Sequence, residues 1–196
     1  MGGLSNIIRN LILINIVAWI VSIFVPSLIT LFGVYNFSDP NFAIWQPLTS
    51  MFLHGGFLHI LFNMIVLWQF GSQLETTLGT KKFLQLYFIS GIVSALFWVV
   101  AGTGVAVGAS GALCGLLAAY LITSPETKVL LFFVIPMKIK YFIYAFAGFS
   151  FIMTIISFIN PSMSDGVGHI VHLGGLICGY LIALYWKNKN AIEIYN

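Results

Sequence analysis

One long apolar stretch follows another along this chain, and the short segments between them hold nearly all of its charge. A membrane helix needs about 20 apolar residues, rising 1.5 Å each, to cross about 30 Å of hydrocarbon. Cut on that ruler, the sequence predicts six helical spans at roughly 8–31, 56–73, 82–102, 109–123, 141–159 and 168–186. The fourth is short and rich in Gly and Ala. The stretch from Lys128 to Ile135 is apolar as well, but Pro136, Lys138 and Lys140 cut it too short to cross, so it is expected in a loop or at the interface. The N-terminal run is longer than a signal-peptide core and lacks a small-residue cleavage site, so a retained span is expected there. With no internal repeat and no low-complexity segment, residues 1–196 are expected to form a single membrane domain, all-α and polytopic, with no soluble domain appended.

Composition narrows the class. The chain is 60% apolar, 16% aromatic and 7% charged, whereas a soluble domain is about 45–50% apolar and about 25% charged. That excludes a soluble globular protein and a disordered chain, and the net charge of +3 does not make this a nucleic-acid binder. The cations serve topology instead. Arg9, Lys81, Lys82, Lys128, Lys138, Lys140, Lys187 and Lys189 all fall at the termini or in the second and fourth connections. By the positive-inside rule both termini are cytoplasmic, and the loops holding Asp39, Gly104 and Asp165 face the exterior. The first exterior loop, from Phe32 to Gly55, carries Phe32, Tyr35, Phe37, Phe42, Trp45 and Phe52, which suits the membrane interface. Cys114 and Cys178 sit inside apolar runs and read as small packing residues, not as a disulfide framework or a zinc ribbon.

The polar residues that enter the spans gather at one depth. No Lys, Arg, Asp or Glu lies in the middle of a span, which argues against ion-coupled carriers and voltage sensors. His59 and Asn63, four apart and therefore on one helical face, could point a ring N–H and an amide at one acceptor, as an oxyanion clamp. The same pair could also glue helices together. Ser110, in Gly108-Ala109-Ser110-Gly111, opens the fourth span, where free backbone N–H groups and the helix dipole favour negative charge. Alone, it would read as an ordinary helix cap. His172, Gly175 and Gly179 share a face of the sixth span, and Gly111 and Gly115 offer a matching small surface on the fourth. Packing those faces together would bring Ser110 within reach of His172, a nucleophile beside a general base. No Asp or Glu is placed to orient the imidazole, so the unit would be a dyad. His54, His59, His169 and His172 come with no H-E-x-x-H motif, no carboxylate read at the same depth and no thiolate partner, so neither a metal nor another cofactor is expected.

These motifs resemble those of the rhomboid intramembrane serine proteases: His54-x4-His59-x3-Asn63, Gly108-x-Ser110-Gly111 and His172-x2-Gly175-x3-Gly179, in family order on spans two, four and six. The resemblance covers the whole six-span core. It implies Ser110 as nucleophile, His172 as general base and then acid, and an oxyanion hole from His59, Asn63 and the Ser110 backbone N–H. Glu75, after Gly71, looks like the family's glutamate at the inner end of span two, and Trp45 like the tryptophan of its first loop. Gln46, followed by Pro47, stands where an arginine is common. Cys114 replaces an aromatic residue that packs on the catalytic histidine in many members, leaving His169 or helix packing to hold His172. Val171 replaces the usual alanine.

By the same resemblance the fifth span, Tyr141 to Ile159, would be a lateral gate, and the loop through Ser162, Ser164 and Asp165 a cap. The substrates expected are single-span membrane proteins entering from the lipid, cut near their exterior end at small residues. A bacterial inner membrane is the expected location. The rival readings are a non-catalytic rhomboid-like binder of transmembrane segments and a small six-helix channel or carrier.

Overall fold

The computed structural model describes residues 4–131, 134–163, 165–192 and 194. Six main helices build the fold: α1 (Asn6–Phe24), α2 (Phe57–Leu78), α3 (Thr80–Ala101), α4 (Ser110–Thr123), α5 (Ile139–Ile159) and α6 (His169–Asn188). All but α4 are long and apolar enough to cross a membrane. The 14 residues of α4 extend only about 21 Å.

Three boundaries differ from the sequence expectation. The first apolar block is two helices, because Pro26 cannot continue the hydrogen-bond ladder; α1 ends at Phe24 and the chain resumes as a short helix, Ser27–Phe32. The second helix runs on to Leu78 through a π turn at Leu67–Gly71. That turn loosens the backbone ladder, and the Tyr120 hydroxyl of α4 donates to the Phe70 carbonyl within it, at 3.0 Å. The Lys128–Ile135 stretch is part of an antiparallel hairpin, β1 (Lys128–Leu131) with β2 (Ile135–Lys138). Pro136 fits there because a two-stranded ribbon leaves each strand an edge. At its base Glu126 pairs with Lys138 at 2.6 Å and with Lys140, and the Lys138 and Lys140 ammonium groups hold its carboxyl below the usual range.

The core is centred on α4. Twelve of its 14 residues are buried, whereas only 17% of the apolar window of α5 is, against 44% for α3 and for α6. The outer faces of α1 and α5 carry Leu13, Val17, Tyr144, Phe151 and Ile152, all exposed. A bundle whose exterior is this apolar has hydrocarbon as its natural solvent.

Close approach of α4 and α6 depends on glycine. A Cβ on Gly175 would strike the Gly111 carbonyl oxygen and lie 2.9 Å from its carbon, and one on Gly179 would strike the backbone of Gly115. The missing side chains of Gly111 and Gly115 face Ser94 and Ser90 of α3 instead. So α4 is gripped on two sides by small residues, its backbone against α6 and its bare Cα atoms against α3. Val171 lies over Gly111, its Cγ1 3.0 Å from where a Cβ would be.

Hydrogen bonds tie both ends of the bundle. At the N-terminal end of α1, Glu75 accepts from Ser5 and from the Thr80 hydroxyl (2.8 Å), joining α1, α2 and α3. In the first long loop the Trp45 indole donates to the Leu31 carbonyl at 3.1 Å, and the Thr49 hydroxyl to Phe32 at 2.8 Å. Gln46, 1% exposed, accepts from the Ala43 N–H at 3.0 Å and donates to the Asn41 carbonyl at 2.8 Å. It therefore anchors the loop in the place where the resemblance led one to look for an arginine.

Candidate active site

The chain reaches α4 through an unusual residue. Gly108 has φ +128°, a conformation L side chains rarely adopt, and a Cβ there would sit 2.7 Å from His59 Nε2. Its N–H donates to the Ser50 carbonyl at 2.9 Å, fixing the descent into the helix. Ser110 follows as the first residue of α4, where backbone N–H groups have no intrahelical acceptor.

His172 lies near the start of α6, one turn before Gly175. With the helices in backbone contact at that glycine, His172 Nε2 lies 3.0 Å from Ser110 Oγ. Both residues line one cavity of about 1260 Å³. With Nε2 unprotonated, the serine O–H donates to it. His172 Nδ1 has no hydrogen-bond partner among the described residues, so no carboxylate completes a triad. The ring is held by packing: Phe146 of α5 is tilted against it, centroids 5.5 Å apart, and His169 meets it edge to face at 5.7 Å. Cys114 is buried and lines the same cavity. Phe146 was not singled out from the sequence, since it sits in an apolar run whose spacing does not separate it from lipid-facing neighbours.

On the opposite wall, the Gly55 N–H points at His59 Nδ1, 3.4 Å away, which leaves Nε2 to carry the proton and to face Gly108 as a donor. The Asn63 amide donates to the His59 carbonyl at 2.7 Å, and its Oδ1 is buried without a partner among the described residues. One amide hydrogen is thereby spent on its own helix and one remains. His54, 2% exposed, packs edge-on against His59 at 5.1 Å and supports that ring from behind. Its imidazole is pushed down to about 3, by burial first and by neighbouring His59 second, which keeps it neutral.

Elsewhere on α6, His169 Nε2 lies 3.0 Å from Asp165 Oδ2. Ser164, expected in the cap, lies outside the described residues. Among the described residues no three His, Cys, Asp or Glu side chains come together as a metal-ligand set. The cavity walls include Phe62 and Val66 of α2 and Phe142 and Phe146 of α5, so the space extends to the seam between those helices.

Comparison with known proteins agrees with this architecture. Residues 41–189 match the model of the Rhomboid domain. The putative rhomboid protease YdcA of Bacillus subtilis is 34% identical over 157 residues, covering 79% of this chain and 73% of that protein. The rhomboid protease GluP of the same organism is 33% identical over 139 residues, 71% of this chain and 25% of its own length. The human mitochondrial presenilin-associated rhomboid-like protein is 31% identical over 183 residues, 86% of this chain and 46% of the relative. Apart from YdcA, then, the chain spans half or less of the length of these relatives. With a domain match over most of its length and apolar helices arranged as described, this chain is a multi-pass membrane protein and belongs to the rhomboid family, which includes intramembrane serine proteases.

Proposed function

We propose that this chain is a serine-type intramembrane endopeptidase, and the observation that carries the reading is the 3.0 Å contact between Ser110 Oγ and His172 Nε2 in a cavity between apolar helices. Ser110 Oγ attacks the scissile carbonyl as its proton passes to His172 Nε2. The tetrahedral oxyanion is met by the Ser110 backbone N–H at the helix N-terminus, by His59 Nε2–H and by the remaining Asn63 amide hydrogen. His172 then returns the proton to the leaving amine. A water molecule, deprotonated by His172, hydrolyses the acyl ester and frees Ser110. His54 and Gly108 hold the oxyanion wall, Gly111, Gly175 and Gly179 the distance between the two helices, and Glu75 and Trp45 the frame.

Substrate transmembrane segments enter from the lipid between α2 and α5, where the cavity meets the seam. α5 suits the role of a gate, being the least buried of the five long helices. The loop before α6 acts as a cap. Cleavage falls near the exterior end of the substrate helix, at small residues. Both termini are cytoplasmic, as the placement of every Lys and Arg supports, and the membrane is a bacterial inner membrane.

The test is fluorophosphonate labelling of the detergent-purified chain. Wild type is expected to label, and Ser110→Ala and His172→Ala to lose labelling while their unfolding temperatures stay in place. Labelling that survived Ser110→Ala would remove the assigned nucleophile. A folded wild type that stayed unlabelled would make the chain a binder of transmembrane segments that does not cut them.

A further inference from the structure

Among the described residues His172 has no carboxylate of its own, yet its ring is not free to turn. One of its two walls is His169, itself 4% exposed and fixed on three sides. His169 Nε2 lies 3.0 Å from Asp165 Oδ2 in the loop leading to α6, and Phe149 of α5 meets its ring edge-on at 5.3 Å. The other carboxylate oxygen, Asp165 Oδ1, accepts from the Val167 N–H at 3.0 Å. One side chain thus closes the turn before α6 and holds the first residue of that helix. Burial acts to raise the Asp165 carboxyl, but the His169 and Val167 hydrogen bonds outweigh it and hold the group below the usual range.

We propose that Asp165 and His169 form a positioning pair for His172, setting its ring orientation and placing one negative charge near the imidazolium that forms during turnover. The proposal rests on the reading of His172 as general base. Neither residue touches substrate or exchanges a proton with His172. Their contribution is a wall against the ring and a fixed charge beyond it. The titratable groups facing His172 are His169 on its own helix, Asp165 in the preceding loop and His59 from α2; α5 presents the uncharged Phe146, and α4 the Ser110 hydroxyl. A carboxylate facing an imidazole favours its protonated form, so removing the charge makes His172 a weaker base. The pair also ties the loop to the base, so a displaced loop would unseat the ring.

The variants separate wall from charge. His169→Ala removes both wall and hydrogen bond, His169→Phe restores the wall, and Asp165→Asn keeps an acceptor without the charge. Fluorophosphonate labelling rates of the full chain are measured across pH beside wild type and Ser110→Ala, with thermal unfolding and ¹⁵N titration of the His172 ring. His169→Ala is expected to react at least about tenfold more slowly, with the loss in the limiting rate and not in half-saturation. His169→Phe should recover most of that rate. Asp165→Asn should move the acid limb of the rate profile and the His172 ¹⁵N midpoint to lower pH at an unchanged unfolding temperature. Profiles that superimpose on wild type would overturn the proposal, as would a folded His169→Phe no faster than His169→Ala. If wild type shows no Ser110-dependent labelling, the protease reading fails by itself. The ¹⁵N titration then still decides, and a midpoint unmoved by Asp165→Asn rejects the pair.

Discussion

Gly175→Ala puts the α4–α6 contact to the test. The added methyl would land on the Gly111 carbonyl oxygen, 2.9 Å from its carbon and 3.1 Å from Cys114 Cβ. Carbon atoms in contact prefer about 3.5–4.0 Å, and the carbonyl oxygen lies closer still, so α6 must retreat by about 1 Å. Backbone stands in the way, and no rotamer change can absorb the clash. His172 lies one turn away on the same helix and moves with it, stretching its 3.0 Å contact with Ser110 to about 3.5–4 Å, outside hydrogen-bond range. A misplacement of that size costs about 10²-fold in rate, and overpacking of this kind about 1–3 kcal/mol in stability. The assay is the second-order rate constant for fluorophosphonate labelling, with thermal unfolding in the same detergent. Gly148→Ala is the control, because a Cβ there meets nothing within 4 Å among the described residues, and it should label as wild type. A Gly175→Ala protein with wild-type labelling and unfolding would show that the glycine contact does not set the spacing of Ser110 and His172.

Two further outcomes are expected. Gln46→Ala leaves the Asn41 carbonyl and the Ala43 N–H without their side-chain partner, which should cost about 2 kcal/mol and expose the first loop to limited proteolysis at lower temperature; unchanged unfolding and cleavage would refute the anchoring role. Acid should destabilise the protein through His54, since an unfolded histidine titrates near 6.5 and this one near 3. Between those values the unfolded chain takes up a proton the folded one refuses, so stability falls as pH drops through the window, by on the order of 5 kcal/mol in all. Thermal unfolding of wild type and His54→Gln from pH 7 to 4 checks this, and parallel slopes would reject it.

The spans were legible because hydrocarbon demands length and apolarity, and both can be counted along a sequence. The approach of α4 to α6 was legible for a related reason: glycines at i+3 and i+7 from a histidine say which face must meet another backbone. Features resting on backbone geometry were not. The π turn at Leu67–Gly71 has no compositional mark, and the partners of Gln46 are main-chain atoms whose positions exist only once the loop is folded. Pro26 stood in plain view, but the apolar block around it hid the break between α1 and the short helix that follows. Phe146 stayed hidden for the opposite reason. α5 is apolar nearly all round, so nothing in its pattern distinguishes the face turned to His172 from the face turned to lipid.

Ser110 is mounted on a helix that hardly sees the membrane. Bilayers differ in thickness, and spanning helices answer by tilting or by drawing the lipid in. In this bundle that adjustment falls on α1 and α5, whose outer faces touch hydrocarbon, while α4 is wrapped in protein and too short to register a mismatch at either end. The serine keeps its depth relative to its neighbours whatever the thickness of the surrounding leaflet. One scaffold can therefore serve thin and thick membranes with the same local geometry around Ser110, and composition changes in the lipid reach that residue only through the mobility of the helices around it.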